Sequence, residues 1–282
     1  MSARARSLLV ALGALAVLAV AALGLVLGAR PLGPDEPVVR ATEPPLTSTP
    51  APTTPTPDPT EEPGPLADLH VVLDPGHNGG NAAAPAEINA LVGDGRGGSK
   101  ACNTVGSSTT SGYPEHAFTF DVAQRAREIL VADGATVTLT REDDTGVGPC
   151  VDERGQAAQT AGADVLVSIH ADGAADPAVR GYFAIVSEPP LNDAQAEPSR
   201  ALAADLLAAL GAAGFAPSSS YPGALSERAD LGTLNWAERP AVLLELAEMR
   251  NPGEAALIES EEGRRRYAEA VAAGIREWAA GS

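Results

Sequence analysis

Three short motifs carry groups able to hold a metal ion, and they lie far apart in the chain. Asp74-Pro75-Gly76-His77 ends one apolar run, Ser168-Ile169-His170-Ala171-Asp172 ends another, and Glu245 interrupts Val242-Leu243-Leu244-Glu245-Leu246. Two histidines and a carboxylate form a known ligand set for catalytic zinc, leaving the fourth position for water. Glu115 and His116 follow Pro114 at the start of a helical stretch and add two candidates. Neighbouring helical side chains diverge by ~100°, so only one of these two can face a metal, and spacing does not choose between them. Each residue also has a bland reading. A strand-end histidine often serves only as a hydrogen-bonding group, and a glutamate in a first helical turn favours the helix dipole. Glu245 is the hardest to dismiss, because a carboxylate in an apolar strand is costly without a partner.

For these groups to meet, the chain must bring several strand ends to one edge. Leu69–Asp74, Thr136–Thr140, Val165–Ile169, Gly181–Val186 and Ala241–Leu246 are short apolar or β-branched runs and read as strands. His116–Ala132, Val151–Ala161, Asp193–Ala213 and Glu261–Ala279 carry apolar residues at three- and four-residue spacing and read as helices. Pro114 suits the first helical position, and Gly134, Gly162 and Gly214 suit helix ends. Strands alternating with helices predict a single α/β domain with a mostly parallel central sheet flanked by helices. In such sheets functional groups gather beyond the carboxyl ends of the strands, which is where both histidine motifs fall.

Composition limits what this domain can do. Of 282 residues, 66–282 hold 15 basic against 31 acidic side chains, a net charge of −16. Phosphate backbones would be repelled, which excludes a nucleic-acid partner. Residues 1–30 contain three Arg and no acid, and 7–29 are uncharged and mostly Leu, Ala, Val and Gly. This is the pattern of an export signal or an uncleaved membrane anchor, and either would place the domain outside the cytoplasm. Residues 31–65 hold 12 of the 24 prolines and few large apolar groups, which predicts a disordered Pro/Thr-rich linker. Cys102 and Cys150 are the two cysteines. An exported chain meets oxidising conditions, so a bridge between them is expected, worth roughly 4 kcal/mol by the chain-entropy model.

Taken in order, the motifs of residues 68–280 resemble a known family. Val72-Leu73-Asp74-Pro75-Gly76-His77, Glu115 opening a helix, Leu139-Thr140-Arg141, Glu153-Arg154, Val167-Ser168-Ile169-His170-Ala171-Asp172 and Leu244-Glu245 followed by Asn251 are together similar to exported zinc-dependent N-acetylmuramoyl-L-alanine amidases. The cysteine pair and Ser111-Gly112-Tyr113-Pro114-Glu115-His116 look most like the actinobacterial members. The resemblance implies that His77, Glu115 and His170 bind zinc, that Glu245 is the catalytic carboxylate, and that the site lies at the C-terminal edge of the strands. It implies hydrolysis of the amide between N-acetylmuramic acid and L-alanine in peptidoglycan or a muropeptide; a monomer is expected. Two other expectations compete: a zinc peptidase acting within the stem peptide, and a non-catalytic envelope-binding module. Asp74 and Asp172 have two readings each, orienting a ligand histidine or forming the turn after the strand, while Arg141 and Arg154 are expected to form structural pairs.

Overall fold

A computed structural model describes residues 64–281. The expected export segment 1–30 and nearly all of the linker 31–65 therefore lie outside the described residues. Among the described residues no helix is long and apolar enough to cross a membrane.

The apolar runs of the sequence form the middle of one sheet. Strand β1 (His70–Pro75) is followed by an excursion that holds a one-turn helix, α1 (Pro85–Ile88), and a small antiparallel hairpin, β2 (Leu91–Gly93) and β3 (Ser99–Ala101). Helix α2 (Glu115–Ala132) leads to β4 (Thr136–Leu139), and α3 (Val151–Ala161) leads to β5 (Val165–Asp172). Then come β6 (Phe183–Ser187), α4 (Glu197–Ala212), β7 (Leu225–Arg228), α5 (Gly232–Asn235), β8 (Ala241–Glu248), α6 (Pro252–Glu259) and α7 (Glu261–Gly281). The strand order is β4-β1-β5-β8-β6-β7; the first four are mutually parallel, and β6 joins β8 antiparallel.

The connections put helices on both faces. The path from β1 through α2 to β4 moves one way across the sheet, and the path from β4 through α3 to β5 moves back past β1. Right-handed crossovers in opposite directions place α2 and α3 on opposite faces. Helix α2 packs beside α7, and α7 beside α4, while α3 packs with α5. Both faces of the central strands are thus covered, and Val71, Val72, Leu73, Val165, Leu166 and Val167 have no exposure. Helix α2 turns Phe118, Val122, Ala123, Ala126 and Leu130 to this core, the three- and four-residue spacing of an amphipathic helix. Pro114 is the residue preceding α2 rather than its first helical residue. Gly134, Gly162 and Gly214 take positive φ (98°, 69° and 83°) after their helices.

The reversal of direction at β1 makes a topological switch point between β1 and β5, where a crevice opens beyond the strand ends. Beneath it lies a buried ion pair, Arg154 Nη1 to Asp74 Oδ1 at 2.6 Å. Asp74 also accepts from Thr140 Oγ1 (2.5 Å) and Ser168 Oγ (2.6 Å). Burial alone would raise its pKa, but the Arg154 guanidinium and these two hydroxyls outweigh burial and hold it below the ordinary value. Asp74 thus accepts from Arg154, Thr140 and Ser168, and no histidine hydrogen-bonds to it among the described residues. Cys102 and Cys150 form a disulfide that ties the chain just after β3 to the residue before α3. Beside it Val151 N donates to Cys102 O at 2.8 Å.

Two outcomes follow for stability. Asp74→Ala leaves Arg154 buried without its counter-charge and should cost about 3–5 kcal/mol in urea unfolding. Because the native pKa of Asp74 lies below its unfolded value, its contribution is present above pH ~4 and fades as the pH falls through the native pKa. The variant should lack that part of the acid limb, and an unchanged acid profile would remove the assigned role. Replacing both Cys102 and Cys150 with Ser should lower stability by about 2–4 kcal/mol in the same assay under oxidising conditions.

Candidate active site

Beyond the end of β1 the chain turns sharply at Gly76-His77. His77 has φ of 60°, a left-handed value uncommon for a residue with a side chain. Two buried arginines hold the turn. Arg154 donates to Pro75 O (2.8 Å) and His77 O (2.7 Å), and Arg141 donates to Pro75 O (3.0 Å) and Gly76 O (3.3 Å). Gly76 is required for a second reason. A Cβ there would lie 2.3 Å from Cε1 of His170, so only glycine lets that ring pass.

The turn points His77 at residues from two other elements. Glu115, the first residue of α2, places Oε1 3.0 Å from His77 Nε2 and 3.0 Å from His170 Nδ1, the latter on β5. One donor atom from each of His77, Glu115 and His170 lies within 4.8 Å of the others, and the two imidazoles meet edge to face. His116 turns away and pairs with Asp144 at 2.8 Å. The choice that helical spacing left open is thus settled by position: Glu115, not His116, joins the cluster.

Backbone groups fix the orientation of these side chains. His77 Nδ1 lies 3.1 Å from the carbonyl of Thr104. The Thr104 hydroxyl lies at the same distance, so Thr104 holds the Nδ1 side of the ring and leaves Nε2 facing the cluster. Glu115 Oε2 accepts from Ser107 N (2.7 Å) and Oε1 from Ala171 N (3.2 Å). Burial would raise the pKa of Glu115, but the two imidazoles hold it well below the carboxylate range. Burial keeps His170 below the usual imidazole value, with Glu115 only partly opposing it. Two imidazole nitrogens and an ionised carboxylate converging within 4.8 Å of one another form a donor set that fits a bound metal.

Glu245 completes the arrangement. It lies on β8 directly beside His170 of β5 in the sheet register, and it lines the same pocket as His77, Glu115 and His170. Its Oε2 is buried with no hydrogen-bond partner among the described residues. Burial pushes its pKa well above the carboxylate range, and the nearby charges of Glu115, Asp172 and Glu248 add to that. Such a group is suited to take up and release a proton. Asp172, also in the pocket lining, is occupied by its own turn, where Oδ1 accepts from Gly173 N at 2.7 Å. The group that orients His77 is thus Thr104, through its carbonyl and its hydroxyl.

Comparison with known proteins agrees in extent and in fold. A family model described as N-acetylmuramoyl-L-alanine amidase matches residues 71–277. An N-acetylmuramoyl-L-alanine amidase of Mycobacterium tuberculosis is 45% identical over 216 residues, which span 76% of this chain and 87% of that protein. The crystal structure of an N-acetylmuramyl-L-alanine amidase from Mycobacterium smegmatis superposes with a TM-score of 0.74 at 43% identity, covering 77% of this chain and 99% of that one. The corresponding enzyme of Mycobacterium abscessus gives 0.73 at 42% identity, covering 76% and 100%. The chain belongs to the N-acetylmuramoyl-L-alanine amidase family.

Proposed function

We propose that the protein is a zinc-dependent amidase that hydrolyses the bond between N-acetylmuramic acid and the L-alanine of the peptidoglycan stem peptide. The observation that carries the reading is the buried, unpartnered Glu245 Oε2 in the pocket that holds His77, Glu115 and His170. These three residues are the proposed ligands. Two imidazoles with one carboxylate suit zinc better than calcium or magnesium, which prefer all-oxygen sites. Zinc held there would supply Lewis acidity, acidifying water and polarising the amide carbonyl. The chain's own residues would do the rest. Glu245 Oε2 would accept a proton from the attacking water and deliver it to the departing alanine nitrogen. Thr104 O and Arg154, through the turn it holds, would keep His77 Nε2 aimed at the metal. Ser107 N and Ala171 N would keep Glu115 ionised and fixed.

Beyond the described residues we propose that 1–30 direct export or anchor the chain, and that 31–65 act as a spacer. At ~3.1 Å per residue in polyproline II form, that spacer would reach roughly 100 Å from a membrane. The disulfide and the cell-wall substrate support action outside the cytoplasm.

Glu245→Gln should lower turnover on purified peptidoglycan by about 10²–10⁴-fold while zinc content stays near one per chain. Wild-type activity in that variant would refute the proton-transfer role. Treatment with a chelator should abolish activity and added zinc should restore it. Mass spectrometry of the products should show intact stem peptides with a free L-alanine amine; cleavage inside the peptide would point to a peptidase instead.

A further inference from the structure

Lys100 is the one lysine in the 282 residues; the other 18 basic residues of the Lys and Arg total are arginine. Lys100 lies half-buried on β3 and lines the pocket that holds His77, Glu115 and Glu245. Its stem packs over Gly232, where a Cβ would come within 3.1 Å of Lys100 Cδ.

The protein only partly neutralises this ammonium: Asp230 and Asp94 favour its charge and Arg228 opposes it, with no carboxylate in direct contact. Nζ donates to Asp230 O at 2.5 Å, which uses one of its three N–H groups. The Asp230 carboxylate is taken by Arg228, through Nε at 2.8 Å and Nη2 at 2.6 Å. The Asp94 carboxylate accepts from the backbone of Arg96 (2.8 Å) and Gly98 (2.9 Å). Lys100 forms no ion pair among the described residues, and burial pushes its pKa below the usual lysine value. The hairpin that carries it is held firmly. Trp236 Nε1 donates to Gly93 O (2.9 Å), Asn235 Nδ2 donates to Asp94 O (2.8 Å), and the disulfide begins two residues after Lys100. A rigidly mounted cation with spare donors, in a pocket that also holds Glu115, Asp172 and Glu245, is built for an anion brought in from outside.

We infer that Lys100 is a specificity-determining residue that binds a carboxylate of the substrate's peptide portion, an inference that rests on the proposed amidase reading. The sugar side of the scissile amide carries no charge, since its lactyl carboxyl is consumed in that amide. The anionic groups of a muramoyl peptide are therefore on the peptide. Lysine fits this role because a compact charge with rotatable donors accepts a carboxylate without demanding the planar, two-point geometry of arginine.

The test compares two soluble probes with the zinc-loaded protein: N-acetylmuramoyl-L-Ala-D-Glu with free carboxylates, and the same compound with both converted to carboxamides. The wild type should show a KM for the amide roughly tenfold or more above that for the acid, the size of one charge-assisted hydrogen bond. Lys100→Met, which keeps the packing stem, should bring that ratio close to one, and Lys100→Arg should keep it above one. A purely structural lysine would alter both substrates in proportion and leave the ratio intact. A wild-type ratio of one, or a wild-type ratio preserved in Lys100→Met, overturns the assignment while leaving the amidase reading standing. Failure of the wild type to cleave either probe overturns the amidase reading and this assignment with it.

Discussion

Everything at this site hangs on three carbonyl oxygens. Where β1 ends, Pro75, Gly76 and His77 leave the sheet, and buried carbonyls without donors would each carry a desolvation penalty. Arg154 from α3 and Arg141 after β4 fill that need from two sides. Both side chains are almost wholly buried, which is tolerable only because their guanidinium groups are met by Asp74, Asp144 and these carbonyls. The left-handed backbone of His77 is held by the same bonds. The strained turn and the charged clamp are one device, and the direction in which His77 faces is its product.

The topology explains why the remaining groups arrive at the same place. The strand order reverses around β1, so the chain beyond β1 and the end of β5 border one crevice. Glu115 comes from the start of α2, and Glu245 comes from β8, the strand beside β5. The sheet sets two of these positions by hydrogen-bond register: His170 and Glu245 are paired residues on adjacent strands. Their relative placement therefore does not depend on loop conformation. His77 and Glu115, by contrast, rely on loop 102–107 for Thr104 O and Ser107 N. The disulfide at Cys102 fastens that loop at its origin.

The central strands are legible in the sequence because two-sided burial demands unbroken apolar runs, as in Val71–Leu73 and Val165–Val167. Helices α2, α3, α4 and α7 are legible from their period. Strand β7, Leu225-Ser226-Glu227-Arg228, lies at the edge of the sheet and has too little apolar content to stand out. The hairpin strands β2 and β3 have three residues each and lie in a Gly- and Ser-rich stretch, so their pairing is set by tertiary anchors such as Trp236. Helix α6 escapes a reading by period, although Asn251 caps it by accepting from Gly253 N and Glu254 N. At the site, the side chains can be nominated by type, but their orienting groups are mostly backbone atoms with no residue signature. The pairing of His116 with Asp144 needs the fold to reveal it. Lys100 is visible in the composition as a single letter, and only its position gives it meaning.

That solitary lysine has a practical consequence. Reagents that acylate primary amines will find one side-chain target in the 282 residues, and it borders the catalytic pocket. Its depressed pKa gives it a larger fraction of free, nucleophilic amine than an ordinary surface lysine has. A fluorophore or cross-linker could therefore be installed at the mouth of the site without engineering a cysteine or disturbing the disulfide. The protein carries its own address label for chemistry aimed at the pocket.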